Sequence, residues 1–214
     1  MSSPIDITFV TSSPFKREEN AEFLTTCRLN DGTPVADAFS FSIVDNTLKE
    51  TLEVELERIV RSEVKQAYTE LKRPCIVEHA GLIFSEYAEQ AFPGGLTKPM
   101  WNTLGDSFLE ETKSVGRGAI AKAVIGYCDG QEVFTFSGQT VGMLSDAPRG
   151  HRRFYWDTIF IPSEDNPSEL TYAEIVERHG LSHKLQHYSQ SAKAMVDFLE
   201  WRREHSPPLW DVIF

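Results

Sequence analysis

Apolar positions along the chain follow two periods, one of strands and one of helices. Residues 5–11, Ile-Asp-Ile-Thr-Phe-Val-Thr, read as a buried first strand. Ser12, Ser13 and Pro14 end it in a turn, and residues 16–25 take up a helical pattern. A long amphipathic helix with many glutamates is predicted over 48–72. Residues 74–84 read as a strand that runs into a loop at 78–81. Phe92-Pro-Gly-Gly is a turn, and 97–109 read as a helix. Segments 119–127 and 133–137 flank Asp129-Gly130, a hairpin signal, and 139–144 continue as strand. A basic and aromatic loop over 146–157 leads into a strand at 159–161. A short helix at 171–179 and a long one at 182–205, with Ser182 at its N-cap, close the pattern. Strands alternating with helices, without repeats or a dividing linker, predict α/β.

Composition narrows the function classes. The 214 residues are 41% hydrophobic and 25% charged, which is ordinary for a globular chain able to bury a core. The longest apolar runs, such as 119–127, fall far below the roughly 18 residues of a membrane span. The first residues lack a secretion signal, so a cytoplasmic protein without a membrane partner is expected. Twenty-one Lys and Arg against 32 Asp and Glu give a net charge of −11. That charge repels DNA at long range, but a small anion can still enter a locally basic pocket. Cys27, Cys75 and Cys128 have no metal-ligand spacing and read as reduced, buried residues.

Candidate chemistry gathers in four segments. The first, Thr11-Ser-Ser-Pro-Phe-Lys16, joins a strand to a helix start, a geometry that presents backbone N–H groups to phosphate. The second is Val77-Glu-His-Ala-Gly-Leu82 with Phe92-Pro-Gly and Lys98. The third is Ala147-Pro-Arg-Gly150 with Phe154-Tyr-Trp-Asp157 and Phe160-Ile-Pro162. The fourth, Ser182-His-Lys184, opens a helix. In order and spacing they resemble the inosine triphosphate pyrophosphatase family over nearly the whole chain, from about residue 5 to residue 199.

The resemblance implies an elongated, mixed twisted sheet flanked by helices, with two lobes and a nucleotide cleft, in a homodimer. Residues 1–199 would form this domain, and 200–214 a tail with an apolar ending that must pack on its own body, a second copy or another protein. Thr11, Ser13 and Lys16 would form the phosphate loop, and Lys98 would reach the triphosphate. Glu78 would lie in a Mg²⁺ site, with residue 79 beside it in the acid chemistry. Phe154 would stack on the base, and Trp156 and Asp157 would shape its pocket. Arg178, His183 and Lys184 would recognise the 6-oxo group or the phosphates. A family enzyme uses Mg²⁺ to cleave a non-standard purine nucleoside triphosphate between its α- and β-phosphates.

Several positions depart from the family pattern. Ser13 stands where asparagine is usual, and Tyr155 where glycine is. Lys184 replaces an arginine and loses bidentate hydrogen bonding. His79 replaces an aspartate, and an imidazole is a poor Mg²⁺ ligand although it can serve as a general base. An ungapped match places a family lysine on Glu63, with Lys65 two residues away. Glu53 or Glu57 is a candidate second Mg²⁺ ligand. His151, Arg152 and Arg153 add positive charge.

Without the resemblance, blander readings stand beside these. Lys16 could be solvated, Glu78 and His79 a structural pair, Phe154 and Trp156 core aromatics, and His183 a neighbour of a helix cap. The pattern of departures favours holding a triphosphate over attacking it. The expected protein is a catalytically impaired sensor of deoxyinosine, inosine or xanthosine triphosphate that acts on an effector protein. A bacterial stress or antiviral signalling role would suit such a protein. The alternatives are an active Mg²⁺-dependent pyrophosphatase, with Glu78 and His79 in catalysis, and an interaction protein without nucleotide.

Overall fold

The computed structural model describes residues 3–49, 51–151 and 155–205. Strand β1 (Ile5–Val10) buries Ile7, Phe9 and Val10. Ser13 then caps helix α1 (Pro14–Thr26), its side chain accepting from the Lys16 backbone, with Pro14 where a helix needs no N–H. A short helix α2 (Val35–Ala38) leads to strand β2 (Phe39–Val44), which runs parallel to β1.

Helix α3 (Leu56–Leu71) buries Leu56, Ile59, Val60, Val64 and Ala67 on one stripe. It is shorter than the 48–72 pattern predicts. Glu53 turns its carboxylate onto the N–H groups of Val54 and Glu55, a local alternative to helix that holds the chain non-helical until Leu56.

Strand β3 (Cys75–Phe84) is continuous, and the loop expected at 78–81 does not form. Its whole length pairs antiparallel with β4 (Gly118–Cys128), from Cys75 opposite Cys128 to Phe84 opposite Ala119. The glycine at 81 marks a close approach, because a Cβ there would lie 2.1 Å from the Gly94 carbonyl oxygen. Past a turn at Pro93, the helix expected over 97–109 divides into α4 (Thr97–Leu104) and α5 (Phe108–Glu111), with Gly105 at positive φ between them.

The hairpin from β4 to β5 (Val133–Leu144) forms as the Asp129-Gly130 signal predicts, with the Asp129 carboxylate accepting from Gln131 and Glu132. Strand β6 (Phe160–Pro162) ends the sheet. Thr171 and Glu174 form a reciprocal capping box on α6 (Tyr172–His179).

The long helix predicted over 182–205 is two helices, α7 (Leu181–His187) and α8 (Gln190–Glu204). The Tyr188 carbonyl accepts from the Thr140 and Tyr172 hydroxyls, and Ser189 caps α8, so the chain turns there. Gly180, not Ser182, is the residue that enters α7. Helix α8 continues past residue 199, and Trp201 packs on Phe134 and Phe136. Of the tail expected over 200–214, residues 206–214 lie outside the described residues.

Among the described residues six strands lie in the order β2-β1-β3-β4-β5-β6, parallel in the first three and antiparallel thereafter. This is the mixed α/β sheet expected. One face carries a core of Phe9, Phe23, Ile125 and Phe198 under α1 and α8, and the other a core of Val10, Val60 and Val124 under α3. A third cluster, with Phe84, Trp101, Phe108, Trp156 and Tyr172, fills the far end of the sheet. Among the described residues no helix is long and apolar enough to cross a membrane.

Candidate functional site

The connection after β1 leads through α1 on one face, and the connection after β2 leads through α3 on the other, so the chain reverses its winding beside β1. Open α/β sheets bind ligands in the crevice outside strand ends at such a point. Here β1 stops at Val10 while β3 continues to Phe84. A cleft opens in the space β1 vacates, with Thr11, Ser13 and Lys16 at its rim. Glu78, His79, Lys98 and Trp156 also line it, with Glu63 from α3 and with Asn46 and Tyr155.

The rim is internally braced. The Thr11 hydroxyl accepts from the Ser13 N–H at 3.1 Å, and the N-terminal end of α1 opens beside it. The Lys16 ammonium donates to the Glu78 backbone carbonyl, on the edge of β3 that β1 leaves bare. Two lysines and a helix N-terminus thus meet at one opening, an arrangement that attracts a compact polyanion.

Glu78 and His79 are adjacent in sequence but leave opposite faces of β3, as successive strand residues must. Glu78 Oε1 accepts from Ser191 Oγ at 2.8 Å on the α8 side. His79 Nδ1 faces Glu63 Oε1 at 3.7 Å on the α3 side, with side-chain exposures of 12% and 7%. Glu63 Oε1 is buried without a hydrogen-bond partner.

Glu63, on which the ungapped match places a family lysine, falls on the buried stripe of α3 with Val60, Val64 and Ala67, whereas Lys65 is exposed. A carboxylate in the apolar phase of an amphipathic helix was the available signal. The two alternative candidates for a second metal ligand beside Glu78 are engaged elsewhere. Glu57 pairs with Lys122 at 2.6 Å, and Glu53 is held by its own backbone and Arg58.

The residues expected around the base are only partly gathered. Trp156 is nearly enclosed and packs edge-on against Phe160, so it belongs to the core as well as to the cleft wall. Asp157 and Lys184 lie behind it, both buried, with Lys184 Nζ 2.7 Å from Asp157 Oδ2 and 3.0 Å from Glu19 Oε1. Burial pushes the Asp157 carboxyl up to about 6 against the pull of Lys184. Burial alone would lower the Lys184 ammonium, but the Asp157 and Glu19 carboxylates more than reverse it and hold the lysine charged.

Arg178 is exposed on α6 and does not line the cleft. His183 lies between His179 and His187, its ring tilted 45° to each, with ring centroids 5.0 and 4.4 Å away. Phe154, Arg152 and Arg153 lie outside the described residues.

Residues 7–201 match the model of the Ham1 family. The chain belongs to that family. A dITP/XTP pyrophosphatase of Hyperthermus butylicus is 30% identical, across 94% of this chain and 97% of that protein. An inosine triphosphate pyrophosphatase of Kluyveromyces lactis is 32% identical, across 79% of this chain and 84% of the relative. The HAM1 protein of Coxiella burnetii has the same fold, with a TM-score of 0.63 at 18% identity over 91% of this chain and 99% of that one. The Ham1 protein of Staphylococcus aureus superposes with a TM-score of 0.61 at 18% identity, covering 93% and 100% of the two chains. As a Ham1 family member, the chain carries its cleft on a scaffold shared with relatives named for nucleotide pyrophosphatase activity.

Proposed function

We propose that this cleft binds the triphosphate of a non-standard purine nucleotide, of the deoxyinosine, inosine or xanthosine type, and holds it with little or no turnover. Lys16 and Lys98 take the phosphates, Thr11 and Ser13 shape the loop around them, and Trp156 walls the cleft. Asp157 and Lys184, paired behind Trp156, brace the base end of the cleft, and Arg178 and His183, which do not line it, take no direct part. The homodimer that the resemblance implies, and an effector protein that reads the liganded state, belong to the same proposal. The names of the relatives support the ligand class.

The observation that carries the low-turnover reading is the contact of His79 with Glu63. Hydrolysis of a triphosphate draws on Mg²⁺ held by oxygen donors. The donors here are divided. Glu78 is turned to Ser191, and the second acidic position is an imidazole facing a carboxylate. Among the described residues no three His, Cys, Asp or Glu side chains converge on a point that a metal ion could fill. A Mg²⁺ ion would meet at most one carboxylate on either face of β3, Glu78 or Glu63, and would depend on the triphosphate and water for the rest of its shell.

A second reading is an active pyrophosphatase with His79 as general base. It is favoured by the position of His79 in the lining of the cleft, where an imidazole can serve as a general base. One sample decides between them. The protein is mixed with deoxyinosine triphosphate and Mg²⁺, and binding heat and pyrophosphate release are measured together. Saturable binding with less than about one turnover per minute, against the roughly 10 s⁻¹ common for enzymes, supports the holding role. Sustained turnover overturns it in favour of the enzyme. Absence of binding overturns both.

A further inference from the structure

We infer that the cation accompanying the nucleotide in this cleft is a borderline transition ion of the Mn²⁺, Co²⁺ or Zn²⁺ type, bound by His79 and Glu63 in preference to Mg²⁺. This rests on the nucleotide-binding reading above.

The separation of the two donors is the first argument. At 3.7 Å, Nδ1 of His79 and Oε1 of Glu63 are too far apart for a hydrogen bond. Two donors that each sit about 2.1 Å from one ion lie about 3.4 Å apart at a tetrahedral angle, and as much as about 4.2 Å apart when opposed. The observed distance falls inside that window, and a shift of a few tenths of an ångström brings it to the tetrahedral value.

The second argument is the state of Glu63. Its Oε1 is buried, aimed at the imidazole and without a hydrogen-bond partner. A carboxylate oxygen in that condition is costly unless a cation meets it. Its helix and the strand that carries His79 are packed elements, so the two donors are fixed by the scaffold rather than by loops.

The donor chemistry then chooses the ion. Mg²⁺ takes oxygen ligands and gives up water reluctantly, whereas imidazole nitrogen suits Mn²⁺, Co²⁺ and Zn²⁺ progressively better. Two protein donors are too few for a closed site. Lys16 and Lys98 line the same cleft and bring the triphosphate to it, so phosphate oxygens and water complete the shell. Ion and nucleotide therefore bind together, each weakly without the other.

The test is calorimetry of the full chain with deoxyinosine triphosphate in EDTA, Mg²⁺, Mn²⁺ and Co²⁺, paired with the visible absorption of the Co²⁺ complex. The expected result is at least tenfold tighter nucleotide binding with Mn²⁺ or Co²⁺ than with Mg²⁺, and a Co²⁺ band that appears only when nucleotide is added. His79→Asn and Glu63→Gln, both close in shape to the native residues, each abolish the preference and weaken the band. Equal affinity with every ion, or a band unchanged in both variants, overturns the ion assignment and leaves the nucleotide reading standing. No binding under any condition, EDTA included, overturns the nucleotide reading and the ion assignment with it.

Discussion

Lys184 and Asp157 form a buried ion pair, Nζ to Oδ2 at 2.7 Å, and the ammonium is shared with Glu19. One cation thus ties α7 to the lead-in of β6 and to α1. Lys184→Met leaves two carboxylates facing each other in the interior. Removing one member of a buried pair costs about 3–5 kcal/mol, and urea denaturation should show a loss of that order. Lys184→Met combined with Asp157→Asn should cost less than the sum of the two. A loss under about 1 kcal/mol for the single variant means the pair does not hold the elements together.

The proposed low turnover can be tested at the His79–Glu63 contact. His79→Asp alone sets a second carboxylate against that of Glu63, and like charges at this distance repel. Adding Glu63→Lys recreates the strand acid and helix lysine that the resemblance implies. The double variant should release pyrophosphate from deoxyinosine triphosphate at least ten times faster than either single variant, in a Mg²⁺-dependent assay. Equal rates in all three mean that more than this contact separates the chain from a hydrolase.

Lys16→Ala removes a cation from the rim of the cleft. A charge-assisted contact is worth about 1.5–3 kcal/mol, so deoxyinosine triphosphate affinity should fall by roughly ten- to a hundredfold. Lys65→Ala, on the exposed side of α3, is the matched control and should leave affinity within about twofold. Equal losses in the two variants would place the phosphates elsewhere.

His183 gives the stability a pH dependence. Burial, with help from His187 and His179, holds its imidazole below the ordinary range. The folded state therefore binds this proton less readily than the unfolded chain, whose value is about 6.5. Its contribution is complete above the unfolded value and is lost as pH falls through the lowered folded one. His183 touches the rings of His179, His187 and Tyr188, so His187→Gln should lessen that loss. Melting temperatures from pH 7.5 to pH 5 should fall less steeply in the variant, and parallel slopes would refute a contribution from His187.

Local chemistry made much of the scaffold legible. Ser13 and Pro14 announce α1, and Asp129-Gly130 announces the hairpin, because caps and turns are settled within a few residues. Strand β2 lies outside the elements the pattern predicts. It depends on β1, where the Asp6 carboxylate accepts from the Ser40 and Ser42 hydroxyls at 2.9 and 2.8 Å. The break at Tyr188 likewise depends on Thr140 and Tyr172, both distant in sequence.

The site divides in the same way. The strand-to-turn rim with Lys16 could be read from neighbours alone. That Glu78 and His79 face different helices follows only from β3 being continuous through residues 78–81. Glu63 lies fifteen residues before Glu78, and only the packing of α3 on the sheet brings it to His79. Asp157 and Lys184 were each expected to face the nucleotide, and their capture of each other beside Glu19 follows only from the folded packing.

Strand β3 holds its whole ladder to β4 on one edge while the other edge runs past the end of β1. Structural duty and chemical duty are thereby assigned to separate sides of one ribbon. The backbone at residues 78–80 is secured by its neighbour whatever side chains it carries. A lineage can exchange acid for imidazole there, or metal chemistry for retention of a ligand, without rebuilding the sheet. The ladder that stabilises the sheet therefore places no demand on which side chains line the cleft at these positions.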